Sequence, residues 1–317
     1  MAINGEIREG KALMEVSEAR KNVLDYYEIS NPSESDSILF TESLHLLIEK
    51  TKDPKYMSEL AWFYCERKQF DLEYKYLQMA AECGFGPACE ELGYMYYYGQ
   101  HGDQNYEKAF EYFSIGAKPD KYGHQGSKWC KYKLADMYHY GCFVEQDDGK
   151  YRQMIEEIFD ELAGPAKLND PVPEVFYRIA KIRVKDGDTE EAINLLRYAK
   201  DFMAERVSYG PFWGHIEVMG RIVRLLQELT PLDQEKADFY DLFYILRAGK
   251  PATFKRNGIE YLIEVSEDEE HALHFTDKWY RDFEDLCNRA EVDGVKITAI
   301  YDEFYDFKTI AKEEEAV

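Results

Sequence analysis

Leu60-Ala61-x-x-Tyr64, Leu92-Gly93-x-x-Tyr96 and Leu134-Ala135-x-x-Tyr138 superpose on one pattern, and Gly99 and Gly141 each follow the tyrosine by three residues. A second stretch with helical spacing trails each copy: Tyr74 to Ala81, Tyr106 to Ala117 and Tyr151 to Phe159. A weaker fourth copy has Ile179-Ala180, then Glu191-Ala192 through Tyr198-Ala199. The copies align at 60, 92, 134 and 179, so loop lengths vary while the helix pair persists. The small residue beside the leucine lets two helices approach closely, and the tyrosine packs on the next turn. The glycine then ends the helix in a left-handed conformation. One such pair cannot bury its apolar face, so the pairs must stack into a solenoid.

From Glu6 to about Gly249 the chain reads helix, turn, helix, with apolar residues at three- and four-residue intervals. Clusters such as Pro32-Ser33-Glu34-Ser35-Asp36, Lys118-Pro119-Asp120 and Thr230-Pro231 punctuate it. Asp188 before Thr189-Glu190-Glu191 is an N-cap candidate, with acidic residues placed where the helix dipole favours them.

Pro87-Ala88-x-x-x-Leu92-Gly93-x-x-Tyr96-x-x-Gly99, followed by Tyr106-Glu107-Lys108-Ala109-Phe110-Glu111-Tyr112-Phe113 and Gly116-Ala117, resembles the Sel-one-like repeat (SLR). That family is a cousin of the tetratricopeptide repeat. Tyr138-x-x-Gly141-Cys142-Phe143-Val144-Glu145-Gln146-Asp147 is similar to the family's glycine-valine-aspartate turn. The first and fourth copies depart from the pattern, with Arg67 where a glycine is expected and Arg183 in place of the tyrosine. The resemblance covers roughly residues 54–200. It implies a mainly α fold, an α/α solenoid used as a protein-binding adaptor, and it implies no catalytic residue.

Beyond Pro251 the texture changes. Thr253 to Arg256, Asn257-Gly258 and Ile259 to Val265 read as a β-hairpin with a tight turn. His271 to Phe275 alternates, Trp279 to Ala290 reads as helix, and Val295 to Tyr301 reads as strand beside Asp293-Gly294. The expected organisation is therefore a helical-repeat solenoid over 1–250 and a small α+β module over 251–317 with a frayed acidic tail.

Charge narrows the function. With 39 Lys+Arg against 62 Asp+Glu, the net charge of −23 argues against direct nucleic-acid or anionic-membrane binding, which needs clustered cations. The first ten residues lack the apolar core of a secretory signal, and no uncharged apolar run approaches the roughly 18 residues of a membrane span. Cys65, Cys83, Cys89, Cys130, Cys142 and Cys287 include no Cys-x-x-Cys pair and read as reduced thiols. A cytoplasmic location is the expectation. No phosphate loop, nucleophile elbow, dinucleotide fingerprint or His-Glu-x-x-His is present, so neither catalytic residue nor cofactor is expected. No metal site is expected either. His271 and His274 would point to opposite faces of a strand, and Cys130, His139 and Cys142 fall short of four ligands.

By analogy with tetratricopeptide geometry, the positions two and five after the aligned leucine face the inner surface, joined by the position two before it. Partner-binding candidates are Trp62, Tyr94, Tyr97, Tyr132, Asp136, His139, Tyr177 and Lys181, with Ser58, Cys65, Glu90 and Val184 beside them. Aromatic rungs would anchor a peptide or helix of another protein, and Tyr94 and Tyr97 are the expected anchors. The alternative is an acidic inhibitor, immunity-like or a nucleic-acid mimic, that blocks a basic partner; a concealed hydrolase is a third reading.

Overall fold

A computed structural model describes residues 14–162, 172–208, 214–230, 237–247, 249–266 and 272–309, with the backbone alone at Tyr244. The expectations for the first ten residues, for His271 and for the 312–317 tail lie outside the described residues. Contacts divide the chain into two compact units, Met1–Met154 and Ile155–Val317. The boundary expected at 250/251 therefore falls inside the second unit.

The first unit is built of helix pairs. The helices are α1 (Val16–Tyr27), α2 (Glu34–Thr51), α3 (Pro54–Glu66), α4 (Phe70–Glu82), α5 (Gly86–Tyr98), α6 (Tyr106–Gly116), α7 (Lys128–Tyr140) and α8 (Asp148–Leu162), the last of which crosses the division. The pairs α1/α2, α3/α4 and α5/α6 pack most closely, as short connections between antiparallel helices require. Their starts are set locally. Ser33 forms a capping box with Asp36, Asn105 accepts from the Lys108 amide at 2.9 Å, and Pro54 and Pro87 occupy first-turn positions that need no donor.

The ends follow the expected glycines. Gly99 (φ 68°) and Gly141 (φ 67°) are left-handed caps of α5 and α7. In the first copy, where Arg67 replaces the glycine, the next residue, Lys68, takes the left-handed turn at φ 57°. The small residues after the aligned leucine earn their place by contact. Gly93 lies against the ring of Phe113 on the partner helix, while Ala61 and Ala135 are buried. The core runs through Phe40, Leu44, Leu47, Leu60 and Leu92 into a second cluster around Phe113 and Met137.

The second unit begins with α9 (Pro173–Asp186), α10 (Thr189–Ser208) and α11 (His215–Leu229), followed by a 3-10 turn (Phe239–Asp241) and α12 (Leu242–Arg247). Asp188 caps α10 as expected, accepting from the Glu191 amide at 3.1 Å. Strands β1 (Ala252–Arg256), β2 (Ile259–Val265), β3 (Leu273–Phe275), β4 (Lys278–Tyr280) and β7 (Tyr305–Thr309) form an antiparallel sheet in the order β4-β3-β2-β1-β7. The β1–β2 hairpin turns at Asn257 (φ 52°) and Gly258 (φ 79°), the pair of positive φ values that a two-residue turn between right-twisted strands demands. Helix α13 (Phe283–Arg289) and a small ribbon, β5 (Glu291–Val292) with β6 (Val295–Lys296), complete the module.

Two local readings are corrected. Trp279 and Tyr280 belong to β4, because a turn at Thr276-Asp277 (Thr276 φ 56°) folds them back on β3, and helix begins only at Phe283. Ile297 to Glu303 forms two short 3-10 turns that meet at a kink at Ile300 (φ −126°), with Ile297 and Ile300 buried at a spacing of three that no strand can place on one face. The ring of Phe239 binds helix to sheet, 5.5 Å from Phe283, 5.6 Å from Phe304 and 6.4 Å from Phe254. Beneath the 3-10 turn, buried Lys200 reaches Asp238 at 2.9 Å and Asp241 at 2.7 Å.

Candidate functional site

Helices α3, α5 and α7 are the first members of their pairs, and they carry six of the eight candidate residues. Tyr94, Tyr97 and Tyr98 fall at i, i+3 and i+4 and so share one face of α5. Tyr132 and Lys133 on α7 meet that face. The hydroxyls of Tyr94 and Tyr132 lie 3.1 Å apart, which sets equal faces of consecutive first helices side by side. Tyr94 stacks on Tyr98 at 6.2 Å and stands edge-on to Phe113 at 5.3 Å.

At the centre of these rings is a lysine. The Lys133 ammonium lies 4.8 Å from the ring centres of Tyr97 and Tyr98, 5.5 Å from Tyr94 and 5.7 Å from Tyr132. It also donates to the Tyr98 hydroxyl. Only 7% of Lys133 is exposed. Four π-faces compensate the charge for much of the water it gives up.

Tyr132 and Asp136 are buried, and Tyr94 and Tyr97 are half-buried. Burial, and then the charge of Asp136, push the Tyr97 hydroxyl far above the usual phenol range, so it remains a neutral donor. His139 is set apart, holding Asp148 through Nδ1 at 2.6 Å and stacking on Tyr151 at 4.5 Å. Trp62 on α3 stands half exposed. The neighbouring positions carry acid: Glu73 is buried and Glu90 half-buried, and burial raises both carboxyls above their usual range.

The structure thus brings Tyr94, Tyr97, Tyr132 and Asp136 together, while Trp62 stands half exposed on α3 and His139 turns to Asp148 and Tyr151. Tyr177 and Lys181 belong to α9 of the second unit, where the Lys181 ammonium lies 5.8 Å from the Tyr177 ring centre. Lys133 and Tyr98 escaped the sequence reading. A lysine beside a tyrosine, opposite a helix face with three tyrosines, was the signal available.

Helix pairs whose first members stand in register define an α/α helical-repeat protein. Within it, residues 74–85, 86–118 and 130–150 match the Sel1 repeat, a family of repeats that generally serve as scaffolds for protein–protein interaction. A protective antigen present in uropathogenic Escherichia coli strains, which displays an SLR fold, is 16% identical with a TM-score of 0.47. The match covers 67% of this chain and 46% of the antigen's, so the chain spans about half of that relative. A Sel1 repeat protein from Oxalobacter formigenes is 14% identical, also with a TM-score of 0.47, over 68% of this chain and 80% of its own. No curated protein matches the sequence. Among the described residues no helix is long and apolar enough to cross a membrane, and no three His, Cys, Asp or Glu side chains cluster as metal ligands would.

Proposed function

We propose that the Sel1-repeat unit is a protein-interaction adaptor that takes an extended segment or a helix of another protein along the face of α3, α5 and α7. The observation that supports this most directly is the hydroxyl contact between Tyr94 and Tyr132, which aligns tyrosine-bearing faces of successive first helices. Such a face offers large rings with few rotors to freeze, together with phenol donors that can meet a partner backbone. Trp62 extends it with a half-exposed indole. Tyr177 and Lys181 would serve a partner in the same manner from the second unit.

The test uses a photo-crosslinking amino acid placed at residue 62, and separately at Ile115 on α6, an exposed second-helix position. A crosslinked adduct from native lysate should form at 62 and not at 115, and it should disappear when a synthetic peptide of the captured partner is added. Crosslinking of equal yield at both positions, or adducts indifferent to the peptide, would refute the groove.

A further inference from the structure

One backbone bond recurs in all four copies of the repeat. The carbonyl at the aligned tyrosine position accepts from the amide just before the following helix: Tyr64 from Gln69, Tyr96 from Asn105, Tyr138 from Asp147 and Arg183 from Asp188, each at 2.9 Å. The bond closes over five residues in the first and fourth copies and over nine in the second and third. It therefore belongs to the helix pair and not to a loop length. In the middle two copies a side-chain bond closes the same corner. The cap holds the amide of a lysine three residues on, Asn105 that of Lys108 at 2.9 Å and Asp147 that of Lys150 at 2.8 Å. Each ammonium turns back to the aligned tyrosine. Lys108 donates to the Tyr96 hydroxyl at 3.3 Å and lies 4.8 Å from its ring centre; Lys150 does the same on Tyr138 at 2.7 and 4.0 Å.

The fourth copy has neither residue. Arg183 stands at the tyrosine position, and Glu191, whose amide Asp188 holds at 3.1 Å, stands at the lysine position. Arg183 Nε donates to the Glu191 carboxylate at 2.7 Å, and Nη1 reaches Glu156 on α8 at 3.4 Å. The cation has thus moved from the second helix to the first, and its partner has become a carboxylate. The first copy has Leu72 at the lysine position, and its Tyr64 ring stacks on Tyr76 at 5.7 Å instead.

We infer that α9 and α10 are a fourth repeat closed by an inverted clasp, Arg183 on Glu191, and that rising ionic strength loosens this clasp but not those of the second and third copies. Salt screens the attraction between two full charges at a surface, whereas a cation in contact with a phenol has no second charge to screen. The Arg183 and Glu191 side chains are 20% and 41% exposed, within reach of dissolved ions. The helix pair so controlled carries Tyr177 and Lys181 on α9, so ionic strength sets how firmly that face is held. The clasp lies in the second unit alone and does not depend on partner binding by the tyrosine face.

Amide hydrogen exchange on the full-length protein, followed by NMR, reads each corner through the Asn105, Asp147 and Asp188 amides that make the recurring bond. Between about 0.1 and about 1 M NaCl the Debye length falls from about 10 Å to about 3 Å. Exchange at Asp188 should quicken about two- to fivefold over that range, the worth of an exposed ion pair. Exchange at Asn105 and Asp147 should change by less than about 1.5-fold. Glu191→Lys, which sets two cations together, should quicken Asp188 exchange at least as much at low salt. Arg183→Tyr combined with Glu191→Lys rebuilds the clasp of the middle copies, so it should restore protection at Asp188 and remove its salt dependence. An equal salt response at all three amides, or none at Asp188, would overturn the ionic clasp. A double variant no better protected than Glu191→Lys alone would overturn the assignment of Arg183 and Glu191 to the tyrosine and lysine positions.

Discussion

The ring of Phe113 packs so closely on Gly93 that a β-carbon at residue 93 would lie 2.5 Å from two of its ring carbons. Phe113 is fully buried, so the ring has nowhere to retreat. Gly93→Ala should therefore overpack the α5/α6 pair and cost about 1–3 kcal/mol. Urea unfolding followed by circular dichroism reads this directly. Adding Phe113→Leu should recover part of the loss, whereas a double variant that is simply additive would show that the two residues do not clash.

Lys133 carries the second expectation. Lys133→Met keeps the length of the side chain but removes the charge that four tyrosine rings surround. The loss should be about 1–3 kcal/mol, since each desolvated cation–π contact is worth up to ~2 kcal/mol and the contacts are not additive. Tyr94→Ala and Tyr97→Ala should also lower stability, because both rings pack on Phe113 and on the lysine. Trp62→Ala should leave the melting temperature nearly unchanged. Affinity lost in Trp62→Ala at constant stability is thus the clean measure of binding on this face.

Asp120 ties the α6–α7 loop to the start of α5. Its carboxylate accepts from the amides of Gly86 (3.0 Å), Tyr122 (2.9 Å) and His124 (3.0 Å). It also meets His124 Nδ1 at 2.9 Å. Partial burial works to raise its pKa, but these bonds win and hold the carboxyl below its usual range. A depressed carboxyl stabilises the fold above its unfolded value near ~3.9 and loses that contribution as pH falls through the folded value. Asp120→Asn should therefore be less stable than the wild type by about 1–3 kcal/mol at neutral pH. The two should converge below about pH 4 as the wild-type carboxyl protonates. A gap that persists at low pH would mean that the ionised form contributes nothing special.

The second unit predicts the outcome of truncation. Ending the chain after residue 250 removes Phe254, Phe283 and Phe304, the rings around Phe239. It also frees the 3-10 turn that Asp238 and Asp241 hold against Lys200. The truncated chain should show a separate, lower-temperature loss of helix from residues 155–250, with the first unit's transition unchanged. A single cooperative transition at the full-length temperature would show that 1–250 folds independently of the strand module.

Much of this architecture is written in short stretches of sequence. The repeat pattern, the capping residues Ser33, Asn105 and Asp188, the helix-ending Gly99 and Gly141, and the Asn257-Gly258 turn act over a few residues. Their geometry follows from backbone sterics and orphan hydrogen-bond groups, which do not need a neighbour to be known. The contact surface was legible only in part. That Tyr94 and Tyr132 lie on corresponding faces follows from the repeat register. That they close around Lys133, instead of standing free, depends on how tightly α5 and α7 approach. β4 is not legible locally, because Trp279 and Tyr280 fit a helical period and only the turn at Thr276-Asp277 gives them β3 as a partner. β7 carries no local signal, because its pairing with β1 is a contact across some fifty positions. The reach of Asp120 to Gly86 and of Lys200 to Asp238 and Asp241 is likewise nonlocal. Local propensity determines which segments are helix or turn. Desolvation and pairing between distant side chains decide which polar groups end up inside, and those are properties of the packed chain.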